Sequence, residues 1–328
     1  MASADNIHFY RVAGFLFGVA LADGFSRAEG ASLPGYAVID RLLPSFVPFR
    51  AVPEEGEKPL FVADVAASAE PAVGTASREA VVLEETSNDM GRATLFVDGD
   101  RYTVELTSRP GAAACVMTAD RRFESVVIST DMADVFAGQA LSSMLRIACS
   151  QAVLPHGAVS IHASAVLCGG RAYLFTGRSG IGKSTHSSLW LRTVPGATLL
   201  NDDNPFLRIE NGRAVAFGTP WSGKTPCYRN EKAPVAGLVR LRQASENRFV
   251  PKSDVEAFSV LLPGCSVIRK DRRLYDCLCD TLVEMSEMIP VGILECRPDA
   301  DAVAVCRKGL GLPEEPCGAC AGNAGDLD

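Results

Sequence analysis

The sequence is short of positive charge. Its 32 lysines and arginines are outnumbered by 39 aspartates and glutamates, leaving a formal net charge of −7. General nucleic-acid binders and proteins that coat anionic membranes need a net basic surface, so both classes are set aside. Aromatic residues are sparse at 7%, and no basic patch carries interleaved aromatics for stacking on bases. Long apolar runs are missing too. The most apolar early stretch, Val12 to Leu21, is interrupted by glycines and is too short to span a bilayer. Met1 to Asn6 holds no basic segment leading into an apolar core, so no secretory signal is expected.

Cysteines are plentiful but lack a pattern. Eleven, an odd number, are scattered from Cys115 to Cys320 in a chain far larger than a disulfide scaffold. That usage fits reduced thiols and a cytoplasmic protein. Cys317 and Cys320 form a single C-x-x-C, whereas a structural zinc site wants four ligands. They are expected to be incidental thiols on a flexible tail. Cys277 and Cys279 fall in an expected helix, Arg273 to Met285, where they point to different faces as small core residues.

What is present is an ordinary globular composition, 47% hydrophobic and 22% charged, over 328 residues, long enough for two domains. Residues 1–130 are expected to form a β-rich domain. Short apolar or β-branched runs occur at His8–Val19, Pro59–Val65 and Ala80–Leu83. Ala93–Val97 and Tyr102–Leu106 flank Asp98-Gly99, a hairpin signal, and Ala113–Met117 and Ser125–Ser129 extend a meander. From Asp131 the period becomes helical: Met132, Val135, Phe136, Ala140, Leu141, Met144, Leu145 and Ala148 predict a connecting helix over 131–154. A second domain over 155–312 follows, then the tail 313–328. Its expected order is a strand Ala158–Leu167, a strand Ala172–Thr176, a helix Lys183–Arg192 and a strand Ala197–Leu200. A hairpin at Asn211-Gly212 comes next, with later strands near Val215, Leu238 and Val291–Leu294.

Chemistry concentrates after the strand Ala172–Thr176. Gly177-Arg178-Ser179-Gly180-Ile181-Gly182-Lys183-Ser184 matches G-x-x-x-x-G-K-[ST], with a strand before it and a helix after it. In such a loop, glycines let successive N–H groups face a phosphate, and the helix N-terminus adds partial positive charge. Lys183 can reach the β- and γ-phosphates of ATP or GTP, Ser184 can ligate Mg²⁺, and Thr185 adjoins them. Asp202-Asp203 follows 19 residues after Lys183, at a strand end. Two adjacent carboxylates beside a metal triphosphate allow one to serve the metal and the other to act as base for an attacking hydroxyl. His162 lies 21 residues before Lys183, on the strand face shared with Ser164, and could hydrogen-bond a catalytic aspartate. His186 is expected on the surface of the helix after the loop. Gly218-Thr-Pro-Trp-Ser-Gly-Lys224 is a loop whose Trp221 and Lys224 either close over a ligand or stay solvated. Arg229 and Lys232 just beyond could likewise neutralise phosphoryl charge.

These residues resemble the kinase domain of HPr kinase/phosphorylase and, more loosely, the phosphate site of PEP carboxykinase. The likeness rests on the phosphate loop, an upstream histidine and a following Asp-Asp pair, over roughly residues 155–215. It implies an α/β fold: a P-loop kinase domain with a mixed sheet, preceded by a β-rich α+β domain. It also implies a nucleotide-dependent, Mg²⁺-requiring kinase acting on a seryl hydroxyl, with Asp202 as base, Asp203 as metal ligand and His162 supporting Asp202. The family's Arg-Gly-Leu-Gly signature is missing, and Ala216-Phe-Gly-Thr-Pro-Trp-Ser-Gly-Lys224 stands there instead. The chain therefore resembles the HPr-kinase-related group, in which HPr itself is not assumed as substrate, and the acceptor expected for it is a protein, peptide or small molecule. Two other functions share the same residues: a nucleotide-binding switch and a PEP-carboxykinase-like enzyme. Neither a nucleic acid nor a membrane is expected as partner, and homo-oligomerisation stays open.

Overall fold

The computed structural model describes residues 7–22, 35–67, 80–88, 91–109, 113–131 and 134–312. The tail 313–328 with its C-x-x-C, the segment Met1–Asn6 and Met132 lie outside the described residues. The chain divides into two compact units, Met1–Pro155 with Ile268–Leu274, and His156–Val267 with Tyr275–Asp328.

The first unit contains β1 (Ile7–Val12), β2 (Phe15–Leu21), α1 (Gly35–Leu42), a 3₁₀ turn Pro44–Phe49, and β3 (Val62–Ala67). It continues with β4 (Val81–Asn88), β5 (Gly91–Asp98), β6 (Arg101–Thr107), β7 (Cys115–Asp120), β8 (Ser125–Thr130) and α2 (Ala137–Ala152). The strands form one mixed sheet in the order β1-β2-β3-β8-β7-β6-β5-β4. The run His8–Val19, expected as one strand, is a hairpin, because Ala13 and Gly14 adopt left-handed φ values of 53° and 82°. The expected meander is present from β5 to β8, β4 adds to it antiparallel to β5, and β8 then pairs in parallel with β3. The helix expected from Asp131 starts only at Ala137, and Val135, counted in its apolar pattern, is 83% exposed. Its buried stripe, Leu141, Met144, Leu145, Ala148 and Ala152, has the i, i+3, i+4 spacing of a helix lying on a sheet, here β7 and β8. Tyr10, Phe17, Phe46 and Phe61 form the aromatic centre of this core.

The second unit contains β9 (Ala158–Ser160), β10 (Ala163–Cys168), β11 (Arg171–Thr176), α3 (Lys183–Thr193), β12 (Thr198–Asn201), β13 (Phe206–Glu210), β14 (Arg213–Phe217) and β15 (Lys232–Gln243). After these come β16 (Arg248–Lys252), α4 (Asp254–Leu261), α5 (Arg272–Met288), β17 (Val291–Cys296) and α6 (Ala300–Gly309). The first residues of α5 count with the first unit. The sheet runs β12-β10-β11-β15-β14-β13-β9, with β17 and then β16 attached to β15. The long strand β15 joins two parts. Its start pairs antiparallel with β14, and its later residues pair in parallel with both β11 and β17.

α3 and α6 pack over this sheet. Phe175 and Tyr173 of β11, Leu189 and Trp190 of α3, Val239 and Leu241 of β15, and Val303 and Cys306 of α6 form one buried cluster. The Trp190 ring stacks on Tyr173 with centroids 5.1 Å apart, anchoring α3 directly after the loop that precedes it. Both sheets are large and mixed, so the chain is a mixed α/β protein. Among the described residues no helix is long and apolar enough to cross a membrane.

Candidate functional site

β11 and β15 run in parallel, with Thr176 in register with Arg240, so the loop leaving β11 starts beside the C-terminal end of β15. At Gly177 φ is 146°, and a Cβ there would sit 3.0 Å from Ile181 Cγ2 and 3.3 Å from the Leu241 carbonyl oxygen. A larger residue would be strained in backbone and crowded in space. The loop ends at Gly182, also with positive φ, and α3 begins at Lys183. The first N–H groups of a helix have no partner within it, and its dipole is positive at that end. An anion is the natural occupant of such a turn.

Lys183 is buried, 8% exposed, and its ammonium donates to His162 Nε2 at 2.8 Å, to the Gly177 carbonyl at 3.2 Å and to the Arg178 carbonyl at 3.4 Å. All three of its protons are therefore directed. Burial holds the amine below its usual pKa, while the charges of Asp203 and Asp202 oppose that shift. Because the ammonium can only donate, His162 Nε2 must accept. The proton of a neutral ring then lies on Nδ1, which is 2.9 Å from Asp203 Oδ1. Lysine, imidazole and carboxylate form one chain of hydrogen bonds.

The expected contact between His162 and Asp202 is replaced by this one with Asp203. The physical reason is a break in the strand expected over Ala158–Leu167. β9 pairs with β13 while β10 pairs with β11 and β12, and Ile161 and His162 fall between them. At the break His162 N–H donates to the Gly264 carbonyl at 2.7 Å and Ala163 N–H to the Asp203 carbonyl at 3.0 Å. Those bonds set His162 beside Asp203.

Asp202 faces elsewhere and is 4% exposed. Its Oδ1 accepts from Ser164 Oγ at 3.2 Å, its Oδ2 accepts from Thr225 N–H at 3.2 Å, and Ser164 Oγ lies 2.6 Å from Ser187 Oγ on α3. The two neighbouring carboxylates thus occupy different surroundings, one toward α3 and one toward the imidazole.

Asn201 carried no role in the sequence reasoning, yet it holds the turn. It is fully buried, and its Oδ1 accepts from the N–H groups of Asp203 and Asn204, each at 2.9 Å. Its amide nitrogen donates to the Thr219 hydroxyl at 3.1 Å and the Trp221 carbonyl at 3.0 Å. One side chain therefore fixes both the aspartate pair and the loop after β14. Gly223 lets that loop lie close, since a Cβ there would be 3.1 Å from the Asp202 carbonyl oxygen. The available signal was an asparagine ahead of two aspartates at a strand end, where Asx turns form.

Several expected site residues have other surroundings. Trp221 is buried and stacks on Phe206 at 5.8 Å, so it does not lie open above the site, whereas Lys224 is exposed. Arg229 is held by Glu231 and the Leu199 carbonyl, and Lys232 by Glu210. His186, expected on the helix surface, is 3% exposed, accepts from Trp190 Nε1 at 3.1 Å and meets the Phe175 ring edge-on. Burial lowers its pKa to about 4. Ser179, Gly180 and Thr185 are exposed at the loop, and Ser184 is half-buried at the start of α3.

Among the described residues no group of three or more His, Cys, Asp or Glu side chains is arranged to hold a metal ion. The donor set here, a serine hydroxyl and aspartates, is nonetheless the hard-oxygen type that suits Mg²⁺, which takes its other ligands from phosphates and water.

No protein-family model matches this chain, and no curated protein matches it. Among solved structures, it is similar to the Hpr(Ser) kinase/phosphatase from Coxiella burnetii at 14% identity and a TM-score of 0.29, over 45% of this chain and 94% of that one. A likeness that distant carries no argument about activity.

Proposed function

We propose that the chain is a nucleotide-dependent phosphotransferase that moves the terminal phosphoryl group of ATP or GTP to a hydroxyl acceptor. The acceptor is a serine-type hydroxyl of a protein, peptide or small molecule, as the HPr-kinase-like pattern of the sequence suggests. The observation that carries this reading is the hydrogen-bonded chain Lys183–His162–Asp203 at the start of α3, beside a glycine-rich turn. A mere anion-binding turn needs the lysine but has no use for an imidazole backed by a carboxylate.

In this reading, Gly177–Thr185 cradles the phosphates with backbone N–H groups, and Lys183 moves from the loop carbonyls to phosphate oxygens. That transfer releases His162 Nε2, which then accepts the proton of the attacking hydroxyl while Asp203 stabilises the imidazolium through Nδ1–H. The His162–Asp203 contact favours this pair as the proton acceptor, the reverse of the roles expected from the resemblance. Asp202, turned toward α3 through Ser164 and Ser187, would with Ser184 hold Mg²⁺. Bound Mg²⁺ supplies charge neutralisation on the phosphates.

Incubation with γ-labelled ATP or GTP and size-fractionated cell extract tests the reading. Label should enter one fraction with wild-type protein and fail to do so with His162→Ala. Labelling no higher than that of Lys183→Ala in every fraction would remove the proposal.

A further inference from the structure

The loop borders a second concentration of positive charge. A cleft of about 450 Å³ is lined by Arg178, Ile181, Arg240, Leu241, Arg242 and Gln243. β15 alternates here. Val239 and Leu241 point into the core under α3, while Arg240 and Arg242 lie on the opposite face, half-buried and exposed respectively. Arg178 comes from the phosphate loop, and Gln243 Nε2 donates to the Ile181 carbonyl at 3.5 Å, tying the end of β15 to that loop.

Among the described residues, the arginines of this cleft have no ion-paired carboxylate. Arg229, Arg248 and Arg297 in the same unit each pair with a carboxylate. Among the described residues no carboxylate lies within ion-pair distance of Arg178, Arg240 or Arg242. The nearest by register, Glu295 opposite Arg242, is engaged by Arg248 at 2.7 Å. Guanidinium groups gathered on one cleft of a chain with net charge −7 repel each other unless an anion joins them. Their planar forks suit an oxyanion bound by two parallel hydrogen bonds.

We propose that this cleft, which borders the phosphate loop, is a second phosphate-binding subsite distinct from the one Lys183 serves, holding either free phosphate or the phosphate group of a second ligand. Arg240 and Arg242 grip the anion from the strand, and Arg178 reaches it from the loop. Lys183, engaged by His162 and the Gly177 and Arg178 carbonyls, does not line the cleft.

The test is calorimetric titration of inorganic phosphate and of O-phosphoserine into Lys183→Ala protein, without nucleotide, so the result does not depend on the proposed activity. The Lys183→Ala protein should bind phosphate, and adding Arg240→Gln and Arg242→Gln should weaken it at least about tenfold, the worth of one charge-assisted bond. Tighter binding of O-phosphoserine would identify an organic phosphate as the source, and tighter binding of phosphate the free ion. With Lys183 intact, Arg240→Gln/Arg242→Gln should keep its affinity for Mg-nucleotide. Arg242→Gln alone, at an exposed position, should weaken phosphate binding without lowering the melting temperature. Equal phosphate affinity with and without the arginines would overturn the subsite. So would a parallel loss of nucleotide affinity, which would assign the arginines to the nucleotide itself.

Discussion

Lowering the pH from 7.5 to 5.0 should destabilise the second unit through His186. An unfolded histidine titrates near pH 6.5, whereas burial against Phe175 and Trp190 brings the folded value to about 4. Between those values the unfolded chain binds the extra proton and the folded chain does not. The stabilisation is therefore complete above the unfolded pKa and is lost as pH falls below it. At pH 5.0, 1.5 pH units below the unfolded value, the loss is about 2 kcal/mol at 1.36 kcal/mol for each unit. Both tryptophans, Trp190 and Trp221, lie in the second unit, so denaturation followed by tryptophan fluorescence reports on it. His186→Gln keeps an acceptor for the indole N–H but does not titrate. Carboxylates that lose stability in acid do so in both proteins and cancel in the comparison. Wild type should lose about 2 kcal/mol more than His186→Gln between the two pH values. An equal loss in both proteins would refute the argument.

Other perturbations separate the parts of the site. Asp203→Asn and His162→Ala should slow phosphoryl transfer by roughly 10²–10⁴, the usual worth of a general base, with nucleotide affinity nearly unchanged by calorimetry. Asp202→Asn should instead weaken Mg²⁺-dependent nucleotide binding, and identical behaviour of the two aspartate variants would end the division of roles. Asn201→Ala strands buried groups on two segments and should lower stability by on the order of 3 kcal/mol in chemical denaturation. Gly292→Ala would drive a methyl group into the Phe249 ring, an overpacking that costs about 1–3 kcal/mol and shows as a lower melting temperature.

The glycine-rich turn and the aspartate pair were legible because each belongs to a local pattern. Two glycines, a lysine and a serine at fixed spacing between a strand and a helix point to a phosphate turn, and an aspartate pair after a short strand points to that strand's end. The partnership within the site was not legible. Strand alternation, applied to Ala158–Leu167 as one strand, directs His162 correctly only if that strand is continuous. The break at Ile161–His162 depends on two different distant partners, β13 for β9 and β11 for β10. His186 was hidden because α3 is polar along most of its length, so nothing marked the face that meets Phe175. Trp221 looked available in a glycine- and proline-rich loop, but its burial depends on Phe206, a contact no local pattern contains. In the first unit, the hairpin at Ala13–Gly14 was concealed because apolar residues dominate on both sides of it and Ala13-Gly14 is not one of the strong turn pairs.

The central claim is that a nucleoside triphosphate occupies the turn between β11 and α3. Calorimetric titration of Mg-ATP and Mg-GTP into wild-type protein and Lys183→Ala tests it most directly. Removing a buried charged partner of a phosphate costs about 2–5 kcal/mol, so the variant should bind at least about thirtyfold more weakly than wild type. Equal affinity in the two proteins, or no binding of either nucleotide to wild type, would contradict the account.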